Sequence, residues 1–198
     1  MVKKSDRTLW KEFIIKGNKK DRLQNESKIM NSCNKKEELS GLILGVDPSL
    51  RGSGLTIIDY QKQKAFYIES KTIKLKSNLN MAQCLGSIGM NVNLILDKYN
   101  ISHVAIEQTI YVQNFQTAQI MGAAMGAVIS AVAMRKIQIF EYAPLRIKQA
   151  ITGNGRASKH QVSKMVASIL DKDFGTAFDE SDAAAVALCH AFTWRGSQ

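Results

Sequence analysis

The most constraining feature of the sequence is a short apolar segment that stops abruptly at an acidic residue. Leu42-Ile43-Leu44-Gly45-Val46 is followed directly by Asp47-Pro48. An apolar run of this length with a proline behind it is typical of a buried strand that ends in a turn. Residues 55–60 and 65–73 have the pattern of two further strands, with Gly52-Ser53-Gly54 as the predicted turn after the first. The chain therefore opens its core with an antiparallel meander.

The segments after the meander alternate between helical and strand patterns. Apolar spacing predicts helices over residues 80–99 and 113–135 and strands over 102–107 and 137–142, followed by helices near 144–151, 158–171 and 180–193. Three antiparallel strands followed by alternating helices and strands predict an α/β fold. Its sheet is mixed and five-stranded, with the three antiparallel strands first, and helices flank it.

The first forty residues differ in composition from the rest of the chain. Residues 1–40 carry 11 basic and 6 acidic side chains and few aliphatic ones, so we expect a flexible basic extension before a folded domain over 41–198. They lack the continuous apolar stretch of a secretory signal. With 198 residues in total, one compact core is expected.

Composition narrows the compartment and the class of partner. No window has the roughly 18 uninterrupted apolar residues of a membrane helix, so a membrane protein is not expected. Cys33, Cys84 and Cys189 form no CxxC pair, which favours a reducing compartment over a disulfide framework or a zinc site. We expect a cytoplasmic, nucleoid-associated protein if the source is bacterial, with an organelle as the alternative. The net charge of +10 favours a polyanionic partner.

Positive charge is concentrated in one part of the predicted domain. Residues 135–164 contain seven basic side chains and a single acid, Glu141. Within them, the loop 153–158 leads into a helix at Lys159, and backbone amides at a helix start suit phosphate groups. We interpret this segment as a nucleic-acid contact, and an ordinary solvated helix face is the alternative.

Four acidic residues could carry chemistry. Asp47 and Glu107 close predicted strands, and Asp179 and Asp182 are three apart, on one face of a predicted helix. A carboxylate cluster suits Mg²⁺, and two ions about 4 Å apart can support phosphodiester hydrolysis. Taken singly, each acid has an alternative structural role. Asp47 could cap a turn and Asp179 could be a helix N-cap. Asp182 could interact favourably with the positive end of the helix dipole, and Glu107 could pair with a lysine.

Four ordered motifs resemble those of the RuvC family of Holliday-junction resolvases. They cover residues 42–193 and comprise the first strand and hairpin (43–54), Ala105-Ile106-Glu107-Gln108, the block from Phe140 to Gln149, and the closing DxxDA pattern at 179–183. The resemblance implies an RNase H-like fold. It also implies that Asp47, Glu107, Asp179 and Asp182 are the metal-binding catalytic acids, with Glu180 between them facing solvent.

The resemblance extends to cofactor, DNA contacts and assembly. It implies two Mg²⁺ ions per active site, with Mn²⁺ able to substitute, and a homodimer formed through the small-residue helix near 113–135. Lys159 is expected to act in catalysis as well as in DNA binding. Ile110 stands where many family members have an aromatic residue, so Tyr111, one residue later, is the candidate to stack on an unpaired base, with a core or dimer contact as the alternative. The remaining predicted DNA-binding residues are Arg51, Arg146, Lys148 and Arg156. A branch-migration motor is a possible partner.

These inferences predict an endonuclease that resolves four-way DNA junctions by paired symmetric cuts in recombination and repair. Two alternatives keep part of the argument. A structure-selective or RNA-directed nuclease on the same fold would retain the four acids with a different substrate, and a catalytically silent junction-binding protein would retain only the DNA contacts.

Overall fold

The structure is a computed structural model, described here for residues 39–109 and 114–196. Leu39–Trp194 forms one compact unit. The predicted basic extension falls almost entirely outside the described residues, and so does Tyr111. The boundary between extension and domain therefore stays a prediction.

The described part of the chain contains five strands and five helices. The meander comprises β1 (Gly41–Asp47), β2 (Gly52–Gln61) and β3 (Lys64–Lys74). The elements that follow are, in order, α1 (Met81–Lys98), β4 (Ile101–Glu107), α2 (Phe115–Ala133), β5 (Gln138–Tyr142), α3 (Pro144–Thr152), α4 (Lys159–Leu170) and α5 (Phe178–Thr193).

The five strands form one mixed sheet in the order β3-β2-β1-β4-β5. The first three strands pair antiparallel, and β4 lies parallel to both β1 and β5. The number of strands, their directions and the meander at the start are those expected from the sequence. The predicted α/β fold class is therefore confirmed.

Helices cover both faces of the sheet, because alternate residues of each central strand enter different cores. On one face Ile43 and Ala105 pack with the small and aliphatic residues of α5, together with α3 and α4. On the other face Leu44, Val46 and Ile106 pack against α1 and α2. Strands buried on both sides read as continuous apolar runs, which is why 42–46 shows no polar alternation.

One predicted turn lies elsewhere in the structure. Gly52, Ser53 and Gly54 belong to β2, and the chain reverses at residues 48–51. The turn is held by Ser53, whose hydroxyl accepts from the Ser49 amide at 3.0 Å and donates to the Ser49 carbonyl. Gly54 faces the backbone of α5, so it serves the packing of that helix and not the turn.

Candidate active site

Asp47 and Glu107 end neighbouring parallel strands. The register pairs Val46 of β1 with Ile106 of β4, so the next residue of each strand is an acid at the same edge of the sheet. Both acids point to the face that carries α5, since Gly45 and Ala105, two residues earlier, pack there. Two carboxylates separated by sixty residues of chain are thereby placed side by side.

Glycines let α5 approach this edge of the sheet. A Cβ atom on Gly45 would lie 2.0 Å from the backbone oxygen of Ala183, and one on Gly54 would lie 1.9 Å from that of Asp179. No side chain fits at either position without displacing the helix backbone. The helix therefore lies directly on β1 and β2, with its first turn beside Asp47, which pairs with Gly54.

The acids of α5 are not helix caps. Ala177 is the N-cap residue and makes no side-chain capping bond, whereas Asp179 lies in the first turn. The helix begins with two acidic residues at its positive end, where negative charge is stabilising. Asp179 and Asp182 consequently remain free of a capping role, and the N-cap alternative for Asp179 is wrong.

Two lysines face the acids across a small pocket. The pocket has a volume of about 170 Å³, and its polar lining consists of Glu107, Lys148, Lys159 and Asp182. Lys159, the first residue of α4, pairs with Asp182 at 2.6 Å, and its ammonium lies 5.3 Å from the centre of the Phe178 ring. The start of α4 is fixed by a capping box in which Ser158 and Gln161 satisfy each other's backbone amides.

The electrostatics show that the carboxylates act on one another. Burial, reinforced by the charges of Glu107, Asp182 and Asp179, raises the pKa of Asp47 to about 7, although Lys159 opposes the shift. Burial and the Asp182 charge raise the pKa of Glu107. Burial also raises the pKa of Asp182, against the hydrogen bond from Lys159. Such repulsion is relieved by a bound cation.

The donor set fits a hard divalent ion in its chemistry. Four carboxylates offer only oxygen, the ligand type of Mg²⁺ and Mn²⁺, and their mutual repulsion favours a cation among them. Across residues 39–109 and 114–196, however, no three such side chains are close enough to hold a metal as they stand. The ammonium of Lys159 is the cation that Asp182 contacts instead.

The other predicted DNA-binding residues lie outside the pocket. Arg51 donates to the backbone carbonyl oxygens of Lys76 and Leu79 and so ties the β1–β2 turn to the loop before α1. Arg146 stacks 5.5 Å from the centre of the Tyr142 ring, and Arg156 is exposed in the α3–α4 loop. Of the basic residues singled out, the structure brings only Lys148 and Lys159 to the pocket that holds the acids.

Sequence reasoning misjudged Glu180. It was predicted to face solvent, but it is half-buried and its carboxylate accepts hydrogen bonds from Ser70 and from Thr72, the latter at 3.2 Å. Thr56 donates to its backbone carbonyl at 2.7 Å. The one available signal was that Ser70 and Thr72 alternate on a strand, which places both hydroxyls on one face without saying what they bind.

Comparisons with known proteins agree on one family. The family model for the crossover junction endodeoxyribonuclease RuvC matches residues 43–190. The RuvC protein of Akkermansia muciniphila is 34% identical over 151 residues, which cover 76% of this chain and 90% of the relative. That of Polynucleobacter asymbioticus is 38% identical over 149 residues, covering 75% and 87%.

Solved structures give the same result. T. thermophilus RuvC in complex with a Holliday junction substrate superposes with a TM-score of 0.72 and 29% identity, covering 77% of this chain and 93% of that one. The yeast mitochondrial Holliday junction resolvase matches with a TM-score of 0.59 at 10% identity, which shows the fold alone. Both likenesses confirm the predicted RNase H-like fold.

A mixed sheet of this order, flanked by helices, defines an RNase H-like domain, and it carries acids at the ends of β1 and β4 and at the start of α5. The family match extends over most of that domain and includes all four acids. The chain belongs to the RuvC family of crossover junction endodeoxyribonucleases. Nucleases of this family are metal-dependent.

Proposed function

We propose that this protein cuts four-way DNA junctions by Mg²⁺-dependent phosphodiester hydrolysis. The observation that carries the proposal is the convergence of Asp47, Glu107, Asp179 and Asp182 on one sheet edge, within a domain whose relatives are named for this activity. The T. thermophilus protein was solved with its junction substrate, and this chain spans 93% of it. Four acids that repel one another are costly to retain in a protein that only binds DNA.

The four acids would hold the metal. Two Mg²⁺ ions would supply activation of water and neutralisation of the charge that develops on the phosphate. Asp47 and Glu107 are fixed by the strand register, so they form the rigid side of the site. Asp182 would hold the metal in place of the Lys159 ammonium, so its side chain is the one that would change partners when the site is filled.

Lys148 and Lys159 are suited to the scissile phosphate. Both line the pocket with Glu107 and Asp182. Burial alone would lower the pKa of Lys159, but its hydrogen bond to Asp182 and the charges of Asp47 and Asp179 raise it, so it stays protonated. Once released from Asp182, its ammonium is placed to bind a phosphate oxygen as negative charge builds there.

A second copy of the chain would place two such sites for symmetric cuts. In α2 only Ala124, Val128, Ala131 and Val132 are buried, while Ile120 on α2 and Met90 and Leu94 on α1 expose apolar side chains. By length and composition alone α2 could also cross a membrane, although the core helix of a soluble protein passes the same test. A two-fold junction calls for a two-fold protein, so we assign this surface to a homodimer.

The wider setting follows from the same proposal. A resolvase acts where recombining DNA is found, so we place the protein in the cytoplasm with the nucleoid, or in an organelle that holds its own DNA. A motor that migrates the junction would bring the preferred sequence to the two active sites, which makes such a complex a natural partner.

The deciding experiment is cleavage of a labelled synthetic four-way junction, with linear duplex and RNA–DNA hybrid as competitors, in Mg²⁺ and in EDTA. We expect paired, symmetric nicks in the junction alone, dependent on the metal and absent in Asp47→Asn and Glu107→Gln. Both variants should still bind the junction, because the basic residues are unchanged. The Lys159→Ala variant should still bind the junction but should cut it more slowly than the wild type.

Each alternative has its own outcome in that assay. Cleavage of the hybrid in preference to the junction would make the protein an RNA-directed nuclease of the same fold. Junction binding without cleavage under any metal would make it a junction-binding protein, and cleavage retained by both acid variants would overturn the assignment of the active site.

A further inference from the structure

A group of hydrogen bonds outside the pocket that holds the acids attaches the first turn of α5 to β2 and β3. We name Thr56, Ser70 and Thr72 the hydroxyl patch. Thr56 of β2 pairs directly with Ser70 of β3, and Gly54 pairs with Thr72, so the three hydroxyls and one glycine form a square on the sheet beneath α5. Every hydroxyl in the patch bonds to Glu180.

We infer that Glu180 is a positioning residue that holds Asp179 and Asp182 in place for metal binding. It is attached at two points: the backbone carbonyl accepts from Thr56 at 2.7 Å, and the carboxylate accepts from Ser70 and Thr72. Asp179 precedes it directly and Asp182 follows within the same turn of helix. A helix attached through both backbone and side chain has little freedom to slide or rotate on the sheet.

The surroundings explain why this attachment is needed. The first turn of α5 has no side-chain N-cap, and the glycines beneath it permit close approach without fixing a position. Ser181 adds a bond to Ser163 of α4 at 2.9 Å, which holds the helix laterally. Glu180 fixes the helix to β2 and β3 of the meander whose first strand ends at Asp47.

This inference rests on the proposed function for its consequence, because positioning matters only if the acids bind a metal. Partners that orient metal ligands without touching the metal affect affinity by about 10-fold to 100-fold. For Glu180→Ala we therefore expect Mn²⁺ affinity to fall by about 10-fold or more, and kcat to fall with it, while KM for the junction stays within about two-fold.

Two variants separate positioning from simple destabilisation. Glu180→Gln keeps an acceptor oxygen, and its amide can donate to the second hydroxyl, so it should recover most of the Mn²⁺ affinity. Thr72→Val removes one hydroxyl from the opposite side of the contact at nearly constant volume, and its effect should not add to that of Glu180→Ala. The matched control is Glu69→Ala: Glu69 also lies on β3 and bonds to a helix end, through Lys98 and Tyr99 of the α1 terminus.

The experiment is calorimetric titration of the full-length variants with Mn²⁺, alongside thermal unfolding and junction cleavage. Reduced affinity in Glu180→Ala and Thr72→Val, with Glu180→Gln and Glu69→Ala near wild type, supports the inference. Wild-type affinity in Glu180→Ala, or an equal loss in Glu69→Ala, overturns it. A wild type that binds Mn²⁺ but cuts no junction refutes the proposed function alone, whereas one that binds no Mn²⁺ overturns both.

Discussion

At the scale of single residues, the ionised carboxylates of the candidate active site lower the stability of the folded protein, although they are the form that would bind a metal. Asp47 sits among three other carboxylates and is largely shielded from water, so its ionised form is unfavourable without a cation. Its folded-state pKa of about 7 lies above the ordinary value of 3.8. The protein therefore loses stability as the pH rises from about 4 to about 7, because the unfolded chain gives up this proton more readily.

Removing that charge should stabilise the metal-free protein. We expect Asp47→Asn to raise the free energy of unfolding in EDTA at pH 8 by on the order of 2 kcal/mol, and most of the gain to be lost near pH 4, where the folded wild-type carboxyl is protonated and the unfolded one is nearly half protonated. Denaturant unfolding at the two pH values measures it. Added Mg²⁺ should stabilise the wild type more than the variant, and a variant less stable than the wild type at pH 8 would contradict the electrostatic account.

A second titrating group, His190, does not line the pocket that holds the acids. His190 is fully buried, and its two ring nitrogens lie 2.7 Å from the Tyr142 hydroxyl and 2.9 Å from Nδ1 of His103. Burial, together with the neighbouring His103, lowers the pKa of His190 to about 3. Between pH 3 and about 6.5, His190 is therefore protonated in the unfolded chain but neutral in the folded protein.

We expect this histidine to make the protein acid-sensitive. From pH 6.5 to pH 5 it should lower the free energy of unfolding by roughly 2 kcal/mol, and His190→Gln should lack that part of the pH dependence whatever its absolute stability. Chemical denaturation across the range gives both slopes. Parallel curves for the two proteins would show that His190 does not contribute.

At the scale of elements, the position of α5 decides whether the four acids meet. Strand register alone brings together Asp47 and Glu107, but Asp179 and Asp182 arrive only because the helix lies against Gly45 and Gly54. The close approach leaves no room for a side chain, so the two glycines determine where α5 places its acids.

The glycine contact can be tested with a single methyl group. Gly54→Ala would push its Cβ into the Asp179 backbone and should cost about 1–3 kcal/mol of stability while lowering cleavage by at least an order of magnitude. Gly86→Ala in α1 is the control, since no atom lies within 4 Å of the position that its methyl group would occupy, and helix propensity predicts unchanged or slightly higher stability. Normal cleavage by Gly54→Ala would mean that α5 tolerates displacement.

Local patterns were sufficient to predict the elements. Apolar periodicity located the strands and helices, and the acids at the ends of β1 and β4 were recognisable because an acid closing an apolar strand is uncommon. The partners of α5 were not predictable in this way. Thr56 and Glu180 are separated by 124 positions, and Lys159 reaches Asp182 only after α4 and α5 have packed together. The local sequence around these four residues does not distinguish them from polar residues that are exposed to solvent.

The same limit explains the two errors of interpretation. Gly52-Ser53-Gly54 has the composition of a turn, yet Gly54 is needed because the backbone of a helix from elsewhere in the chain packs against it. A glutamate at the position of Glu180 in a helix is typical of a solvated face, yet two hydroxyl groups of β3 donate hydrogen bonds to its carboxylate. The predicted family and fold are confirmed by the comparisons, whereas the roles of individual site residues stay predictions.

At the scale of the whole molecule, we expect the apolar surface of α1 and α2 to bind a second copy of the chain and the basic segment 135–164 to bind DNA. We expect the wild type to be a dimer at micromolar concentration and Ile120→Glu to shift it toward the monomer, since the substitution buries a charge if a second copy covers α2. Sedimentation velocity measures both. Met165→Glu, at an exposed position of α4, should leave the dimer intact, and a monomeric wild type would rule out the proposed assembly.

The basic segment should govern how junction binding responds to salt. Affinity is expected to fall steeply with ionic strength, and the double variant Arg146→Ala/Arg156→Ala should make the logarithmic slope shallower by about 2, one for each lost phosphate contact. Lys62→Ala/Lys64→Ala, at the exposed β2–β3 hairpin, is the charge-matched control. Equal slopes for the two double variants would place the DNA elsewhere.

The parallel pairing of β1 with β4, completed by α5, also has a consequence during synthesis. Asp47 leaves the ribosome more than a hundred residues before Asp182, and until that helix has folded onto the sheet the chain holds only part of its ligand set. A translation product interrupted before residue 182, or a proteolytic fragment without α5, should bind nucleic acid through its basic residues but be unable to nick it. Incomplete chains are thus expected to lack nuclease activity, because the last two acids of the site are on the last helix of the fold.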